Sequence, residues 1–370
     1  MNTKRLRFGL AVLFVLAPTA VAAASSSTGT WARLPAAPIA PNDGLTSVWT
    51  GKEMLVFGVA TRRAGDGAVL SSTNVAAAYD PAARRWRRLP HGGRAGTFPP
   101  YRSIWTGKEM LILGQGTRAA LDPRTNRWRR LPGSPLLAVH EGHGLVVWTG
   151  RELVGWGGGC CGDAFSDGVA FDPVTNRWRA LAPSPLAGSQ RPIGAWTGRQ
   201  LIVLVSGVNP DGRPWPRRLA RAAAYDPRTD TWRRIAPLPA ERPGASAVWN
   251  GRELLVVGGT ARVGFAYDPA RNRWRRLPAL DAPRIGAAAV WTGTQLLLSG
   301  GTTRAGSLRA PRHGLAYDPR TNRWTTLSPA PLRARLDPAA VWTGRSLIVW
   351  GGSQPRGLRD GAAFTPERSH

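Results

Sequence analysis

The residue types best suited to chemistry in this chain lie in two short segments, "HEGHG" and "GGGCCGD". The first contains His140, Glu141 and His143, and the second contains Cys160 and Cys161. Imidazole nitrogens and thiolates are ligands that zinc and copper prefer in proteins. If both segments lie on one side of the fold, the two histidines and the two cysteines form a candidate metal site.

The two adjacent cysteines have a second interpretation. Cys160 and Cys161 are the only Cys residues of the chain, and an exported protein meets an oxidising environment that favours disulfides. In a regular strand His140 and His143 point to opposite faces, so a shared metal ion would require irregular backbone there. We therefore predict a vicinal disulfide and no cofactor. A zinc or copper site and free or intermolecular thiols are the alternatives.

Arginines recur at one spacing ahead of a repeated Trp-x-Gly tripeptide. Arg242, Arg284 and Arg335 each precede the Trp by seven residues, and Arg191 lies close to the equivalent place. A planar guanidinium is suited to carboxylate and phosphate groups, so these four arginines are predicted to bind an anionic ligand. The alternative is that each arginine braces neighbouring loops through backbone carbonyls.

Carboxylates and a histidine near the same places could transfer protons. Glu141 and His140 are the catalytic candidates, and Asp43, Glu241 and Asp337 occupy comparable positions. Sugar mutarotation requires general acid–base groups of this kind. The chain has no phosphate loop, dinucleotide fingerprint or serine elbow beside them.

A repeated fold must position these residues. Each repeat contains Trp-Thr-Gly or Trp-Asn-Gly, followed by a short apolar run that usually ends in Gly. The seven tripeptides begin at Trp49, Trp105, Trp148, Trp196, Trp249, Trp291 and Trp342. Two strands joined by a tight turn fit this pattern, and the Gly predicts a type I′ hairpin with positive φ.

A second hairpin follows in each repeat. An aromatic residue or Leu precedes Asp-Pro, as in "AYDPRTNRW", and Asp and Pro favour the first positions of a turn. The next strand starts at a Trp and soon meets Pro, which ends strand pairing. Four antiparallel strands in 42 to 56 residues per repeat leave little room for a helix and are typical of a propeller blade.

The two ends of the chain complement each other. Residues 31–35 supply a fourth strand without the preceding three, and residues 342–366 supply three strands without a fourth. We predict an all-β, seven-bladed β-propeller over residues 30–366, with four antiparallel strands per blade and a last blade closed by the N-terminal strand. Such closure removes exposed sheet edges. Residues 367–370 are predicted to form a C-terminal tail.

The repeat resembles the kelch repeat, in which Gly-Gly ends the second strand, Tyr-Asp-Pro ends the third and Trp opens the fourth. The resemblance covers nearly all of residues 30–366 and implies a kelch-type propeller. That fold occurs in partner-binding domains, in sugar-processing proteins and in the central domain of galactose oxidase.

Galactose oxidase has a copper radical site with Tyr ligands, a Tyr-His pair and a Cys cross-linked to Tyr. This chain has no Tyr-His pair, and four of its five Tyr residues occupy the Tyr-Asp-Pro position. Copper radical oxidation is therefore not expected from the resemblance. The fifth, Tyr101, joins Glu141 among the predicted ligand-binding residues.

The amino terminus predicts export. Basic residues, an apolar stretch and small residues form a secretory signal over residues 1–24, with cleavage after Ala22 or Ala24, and residues 25–29 follow as a linker. No other apolar run approaches the length of a transmembrane helix. The chain has 50 Lys and Arg against 22 Asp and Glu, a net charge of +28. This charge favours an anionic partner, and no nucleic-acid partner is expected because the Trp-Arg-Arg segments are assigned to packing between blades.

We therefore expect a secreted binding propeller that presents an Arg-rich face to an anionic extracellular ligand. A glycan, a wall polymer or an acidic protein segment would fit. A carbohydrate-active enzyme, such as a sugar epimerase or mutarotase acting through Glu141 and His140, is the first alternative. A non-catalytic assembly scaffold is the second.

Overall fold

A computed structural model shows how the repeats assemble. It describes residues 26–27, 29–41, 43–65, 68–91, 98–115, 117–135, 144–159, 162–205, 221–304, 311, 313–354 and 356–367. Within these ranges all regular secondary structure is β-strand. No helix that could cross a membrane is found there. The predicted secretory signal lies outside the described residues.

The strands form seven four-stranded antiparallel sheets, which are the blades. Two strands, β1 (Ser26–Ser27) and β2 (Gly29–Arg33), precede the first complete blade. Blade 1 contains β3 (Asp43–Trp49), β4 (Met54–Arg63), β5 (Val69–Asp80) and β6 (Arg85–Leu89). Blade 2 contains β7 (Phe98–Trp105), β8 (Met110–Gln115), β9 (Thr117–Asp122) and β10 (Arg127–Arg130). Blade 3 contains β11 (Leu145–Trp148), β12 (Leu153–Trp156), β13 (Gly168–Asp172) and β14 (Arg177–Ala180).

The remaining blades repeat the same order. Blade 4 contains β15 (Ile193–Trp196), β16 (Leu201–Leu204), β17 (Ala222–Asp226) and β18 (Thr231–Arg234). Blade 5 contains β19 (Ala245–Trp249), β20 (Leu254–Gly258), β21 (Val263–Asp268) and β22 (Arg273–Ala279). Blade 6 contains β23 (Ile285–Trp291), β24 (Leu296–Thr302), β25 (Leu315–Asp318) and β26 (Arg323–Leu327). Blade 7 joins β2 to β27 (Ala339–Trp342), β28 (Leu347–Trp350) and β31 (Gly361–Pro366), with β29 (Ser353–Gln354) and β30 (Arg356–Gly357) as a small separate hairpin.

The blades close into a ring. The first strand of each blade contacts the first strand of the next, and β27 of blade 7 contacts β3 of blade 1. The first strands therefore surround a central channel, where β11 and β15 are half-buried throughout. The second strands, such as β12 and β16, are fully buried between neighbouring blades. The predicted seven-bladed propeller is confirmed.

The disc has two faces. We call the side on which the first strands begin and the second strands end the loop face. We call the opposite side, which carries the Trp-x-Gly and Asp-Pro turns, the turn face.

The Trp-x-Gly turns differ from the predicted type I′. In blade 1 the Thr50 amide donates to the Glu53 carbonyl at 3.0 Å, so Gly51 and Lys52 are the two central residues. Positive φ falls on Gly51, at 92°, and not on Lys52. Gly at the first central position is the pattern of a type II′ turn. Thr50 fixes the loop further, because its Oγ1 accepts the amides of Lys52 and Glu53.

The Asp-Pro hairpins follow the prediction. In blade 6 Tyr317 pairs with Trp324, and Asp318 Oδ1 accepts the amide of Arg320 at 2.8 Å. Asn322 then takes a left-handed φ of 54°, a conformation that Asn tolerates better than most residues. The equivalent left-handed residues of blades 1 to 5 are Arg84, Asn126, Asn176, Asp230 and Asn272.

The Trp that opens each fourth strand lies between two blades. Its indole Nε1 donates to a backbone carbonyl near the end of the fourth strand of the preceding blade. The pairs, at 2.8 to 3.0 Å, are Trp86–Pro35, Trp128–Pro90, Trp178–Pro132, Trp232–Ala182, Trp274–Ala236, Trp324–Pro278 and Trp31–Ser328. The interpretation of these Trp residues as packing between blades is confirmed.

The N-terminal strand closes blade 7. Strand β2 pairs antiparallel with β31, and Trp31 lies opposite Phe364 with ring centroids 5.2 Å apart. The segment predicted as a linker is partly strand, because Ser26–Ser27 pairs in parallel with the outer edge of blade 6 at Thr326 and Leu327. Strand β26 would otherwise leave unpaired backbone groups along that edge.

Removing residues 1–33 is expected to open the ring. Strand β31 would become an exposed edge that pairs with other chains, and the buried contacts of Trp31 would be lost at a cost of about 3 kcal/mol or more. Urea unfolding and size-exclusion chromatography would show a lower midpoint and concentration-dependent association. The control is a chain lacking only residues 1–25. Equal midpoints and two monomers would contradict a closing role for β2.

Candidate functional site

One position at the start of the first strand, five residues before the turn Trp, lies at the channel mouth on the loop face. Blades 1, 5 and 6 have Gly44, Gly244 and Gly286 there, with φ of 58°, 71° and 65°. Blade 7 has Asp337 in the same left-handed conformation, at 46°. A residue with a side chain is strained in this region, although Asp is among the most tolerant. Such outliers often mark functional sites.

Backbone hydrogen bonds hold this position from blade to blade. The Gly286 amide donates to Gly244 O at 3.2 Å, and the Asp337 amide donates to Gly286 O at 3.0 Å. A Cβ on Gly286 would lie 2.8 Å from Asp337 Oδ1, so the glycine leaves the space in which the carboxyl sits. Blades 5, 6 and 7 thus fix Asp337 at the rim of the channel.

Two arginines from other blades face this carboxyl. Arg102 of β7 in blade 2 and Arg191, just before β15 in blade 4, both interact electrostatically with Asp337. Blades 2, 4 and 7 are not neighbours, so these three charges act on one another across the channel mouth without a direct ion pair among the described contacts. Arg191 is exposed and Arg102 is half-buried, and Arg102 Nε also donates to Gly144 O at 3.2 Å.

The channel mouth changes the acidity of these groups. Burial raises the pKa of Asp337, although Arg191 and Arg102 act to lower it. The carboxyl of Asp337 is reached by solvent, so it is a recessed but wet group. Burial also lowers the pKa of Arg102, and the positive charge of Arg191 lowers it further. The site therefore disfavours two neighbouring positive charges and also disfavours the ionised form of Asp337. An added anion would offset the repulsion between Arg102 and Arg191.

The predicted arginine ring is arranged differently. Arg284 is 0% exposed, Arg335 is 2% exposed and Arg242 is 6% exposed, so these side chains are not presented to solvent. Arg284 donates from Nη1 to His313 O at 2.8 Å and from Nη2 to Asp281 at 3.0 and 3.2 Å. The Arg284 guanidinium therefore fixes the loop that ends the second strand of its own blade.

The other two arginines are used in similar ways. Arg335 donates to Gly351 O, Asp360 O and Asp360 Oδ1 at 2.9 to 3.1 Å. The guanidinium of Arg242 lies 4.9 Å from the ring centroid of Phe265. The predicted Arg-rich face is unsupported at these three positions, and the contacts of Arg284 and Arg335 agree with the alternative that arginine braces neighbouring loops. Among the four predicted arginines, Arg191 has the exposed side chain.

The Gly-Gly at the end of the second strand explains why Arg284 is buried. Gly259 and Arg284 exchange two backbone hydrogen bonds between blades 5 and 6, at 2.9 and 3.1 Å. A Cβ on Gly258 would meet Arg284 O at 2.7 Å. The backbone of Arg284 is thus hydrogen-bonded to blade 5, while its side chain binds His313 O in blade 6. The shared spacing of Gly-Gly and Arg along the sequence is the signal that could have indicated this pairing.

Several predicted residues cannot be placed in this site. His140, Glu141, His143, Cys160 and Cys161 lie outside the described residues, so the metal, disulfide and catalytic predictions made for them stay predictions. Tyr101 pairs through its backbone with Gly114 in blade 2. Glu241 forms an ion pair with Arg221, and sequence reasoning overlooked Arg102 because no repeat position marks it.

The comparisons with known proteins concern the fold. No protein-family model matches the chain, and no curated protein matches it. Among solved structures, the chain is similar to a fungal alcohol oxidase of the AA5 family, described as having catalytic diversity and solved in complex with copper. The TM-score is 0.70 at 15% sequence identity, and the match covers 91% of this chain and 76% of the other. This likeness shows a shared fold, and it does not confirm the kelch family itself.

The prediction of no cofactor is wrong as it stands, because a protein with this fold was solved with copper. The cofactor of this chain is not established. Among the described side chains, no group of three or more His, Cys, Asp and Glu could hold a metal ion.

The tyrosines with described side chains do not fit a copper site like that of galactose oxidase. Tyr225, Tyr267 and Tyr317 are buried, as Tyr79 of the same repeat position is, and burial raises the pKa of all four phenols. The hydroxyls of the first three donate to the left-handed turn residues Asp230, Asn272 and Asn322 at 2.5 to 2.8 Å. These groups lie at the turn face and serve the hairpins, away from the channel mouth.

Arg284→Leu is expected to lower the free energy of unfolding by about 1.5 to 3 kcal/mol, because His313 O and Asp281 lose a charged hydrogen-bond donor. Urea unfolding measures the change. Arg273→Leu removes an exposed arginine of β22 and should change stability by no more than about 0.5 kcal/mol. Equal effects of the two substitutions would contradict the bracing role.

Asp337→Asn is expected to raise the free energy of unfolding at about pH 7 and to leave it nearly unchanged at about pH 3. The raised pKa of Asp337 means that the neutral carboxyl suits the fold. Its stabilising effect is present below the ordinary carboxyl pKa and is lost as the pH rises through the raised value. Asn keeps the left-handed backbone without the charge.

Asp281→Asn is the matched control for this measurement. Burial acts to raise the pKa of Asp281, but hydrogen bonds and charge from Arg284 and His313 lower it overall. That variant should lose stability at about pH 7 and approach the wild type at low pH. A loss of stability in Asp337→Asn at neutral pH would contradict the assignment.

Proposed function

We propose that this chain is a secreted binding propeller that takes an anionic extracellular ligand at the channel mouth on the loop face. The observation that carries the proposal is the meeting of Arg102, Arg191 and Asp337 from three separated blades. Arg191 is exposed, the positive charges of Arg102 and Arg191 disfavour each other, and Asp337 is the described acid that acts on both. This balance of charge favours an added anion.

The mixture of charges indicates the class of ligand. Planar guanidinium groups bind a carboxylate through paired hydrogen bonds, whereas Asp337 offers acceptor oxygens to hydroxyl groups. A ligand with both an acid and hydroxyls, such as a uronic or sialic acid residue of a glycan, uses all three side chains. A plain acidic peptide would leave Asp337 facing a like charge.

The position of the site also favours binding. Loops of a rigid scaffold commonly carry specificity, and the loops that follow the second strands surround this mouth. The buried guanidinium groups of Arg284 and Arg335 anchor His313 and Gly351, described residues that flank two of those loops. The anchoring described above therefore prepares the rim before a ligand arrives.

An acid–base enzyme acting on the same class of sugar is the second candidate. Asp337 favours it, because a carboxyl whose pKa is raised by burial holds its proton more readily and can act as a general acid. A sugar epimerase or mutarotase would use such a group.

Arg191→Ala is expected to weaken binding of acidic glycans about tenfold to a hundredfold, because an exposed charged hydrogen bond to the ligand is lost. An array of uronic- and sialic-acid glycans with neutral counterparts identifies the probe, and isothermal titration with the best of them measures the loss. Arg130→Ala is the matched control, since it removes an exposed arginine from the outer strand of blade 2, away from the channel mouth and from the turn face.

Equal losses in both variants would overturn the proposed site. The enzyme candidate has a separate readout, which is the rate of anomeric or epimeric exchange of the bound sugar followed by NMR. Loss of that exchange in Asp337→Asn, with binding retained, would select the enzyme over the binding protein.

A further inference from the structure

The turn face carries a second ring of cations, distinct from the channel mouth. The residue after Gly in the Trp-x-Gly turn is Lys or Arg in six of the seven blades, and Thr294 in blade 6. The six are Lys52, Lys108, Arg151, Arg199, Arg252 and Arg345. All six side chains are exposed, because the type II′ turn points its second central residue away from the blade.

The glutamates beside this ring are committed elsewhere. Glu53, Glu109 and Glu253 each receive two hydrogen bonds from an arginine of the fourth strand in their own blade, at 2.7 to 2.9 Å. Glu152 receives one from Arg179 at 2.9 Å. These carboxylates are 13 to 17% exposed, so they point into the disc and do not neutralise the ring.

The aspartates of the turn face are committed in the same way. Each Asp of an Asp-Pro hairpin accepts backbone amides of its own turn, as Asp80 does from Ala82 and Ala83 at 2.9 and 3.0 Å. Within the described part of the chain, Arg199 alone of the six ring cations has an ion pair, with Asp226 at 3.9 Å. Nearly the whole charge of the ring is therefore available to a partner.

Clefts between the blades lie beside these cations. One cleft of about 1120 Å³ is lined by Trp291 and Trp342 together with Arg252 and Arg345, and the exposed Glu367 lies at the same cleft. A second cleft, of about 720 Å³, is lined by Trp86 and Trp105 with Lys52 and Lys108. Each cleft thus combines half-buried indole rings with a pair of ring cations.

The remaining lining indicates a sugar. Asn250, Thr292, Gln295 and Thr365 add amide and hydroxyl groups to the larger cleft, which can bind sugar hydroxyls. A lipid surface would be met by projecting apolar side chains, yet among the described residues Val174 is the one large exposed apolar side chain on this face. Aromatic, cationic and hydroxyl-binding groups together match a chain of acidic sugars better than a bilayer.

We infer that the turn face is a binding surface for an acidic polysaccharide, with anionic groups at the ring cations and sugar rings in the inter-blade clefts. A single exposed ion pair contributes little, but a polymer that reaches several blades gains from effective concentration. Binding is therefore multivalent and weakens as the salt concentration rises. This surface does not depend on the proposed ligand at the channel mouth.

Full-length protein and polygalacturonate, a linear polyuronate, test the surface directly. The variant Lys52→Gln, Lys108→Gln, Arg252→Gln, Arg345→Gln is expected to bind about tenfold or more weakly at low salt, with a smaller salt dependence. The matched control changes four exposed arginines away from this face, Arg62, Arg130, Arg304 and Arg359, to Gln. It has the same net charge and should bind within about twofold of the wild type.

Three further measurements decide the inference. Equal losses in both quadruple variants would overturn it, because net charge alone would then explain binding. The wild type should bind polygalacturonate more tightly than single-stranded DNA or anionic phospholipid vesicles. Tighter binding of either of those probes, with the same dependence on the turn-face cations, would overturn the choice of a polysaccharide. If the Arg191→Ala variant still binds polygalacturonate, the channel mouth and the turn face are independent surfaces. Loss of polygalacturonate binding in this variant would overturn that independence.

Discussion

In each blade an indole N–H of the fourth strand donates to a backbone carbonyl of the blade before it, and these bonds join the described sheets into one ring. A four-stranded blade buries its second strand only when neighbours cover both faces. Each blade therefore depends for its stability on the blades on either side of it. Trp31 of the N-terminal strand forms the same contact with Ser328 as its six counterparts form elsewhere, so the two ends of the chain are held by the interaction that holds every other pair of blades.

The same rigid ring explains how strain can persist at the channel mouth. Gly44, Gly244 and Gly286 meet the backbone requirement without cost, whereas Asp337 has to be held in a left-handed conformation by Gly286. The neighbouring blades supply that restraint. Four of the seven blades depart from Gly at this position, and two of those departures are Arg191 in blade 4 and Asp337 in blade 7. Variation at one repeated position is how a repetitive scaffold acquires a specific site.

Charge is divided unequally between committed and available groups. The acids of the turn face cap turns or pair with Arg87, Arg129 and their equivalents, and buried arginines such as Arg335 hold loops on the other face. Among the described residues, five of the six turn-face cations have no ion pair, so that part of the positive charge faces solvent. Composition reports only the total, and the structure shows which part of it reaches solvent.

The sequence by itself determined the number of blades, the order of strands, the two hairpins of each blade and the closure by residues 31–35, because those features repeat locally and need only short-range turn chemistry. It did not determine the turn type, since type I′ and type II′ turns both accept Gly. It also could not indicate that Arg242, Arg284 and Arg335 are buried, because their burial depends on residues of adjacent blades. The meeting of Arg102, Arg191 and Asp337 was decided by tertiary structure alone, because ring closure brings together blades that are far apart along the chain.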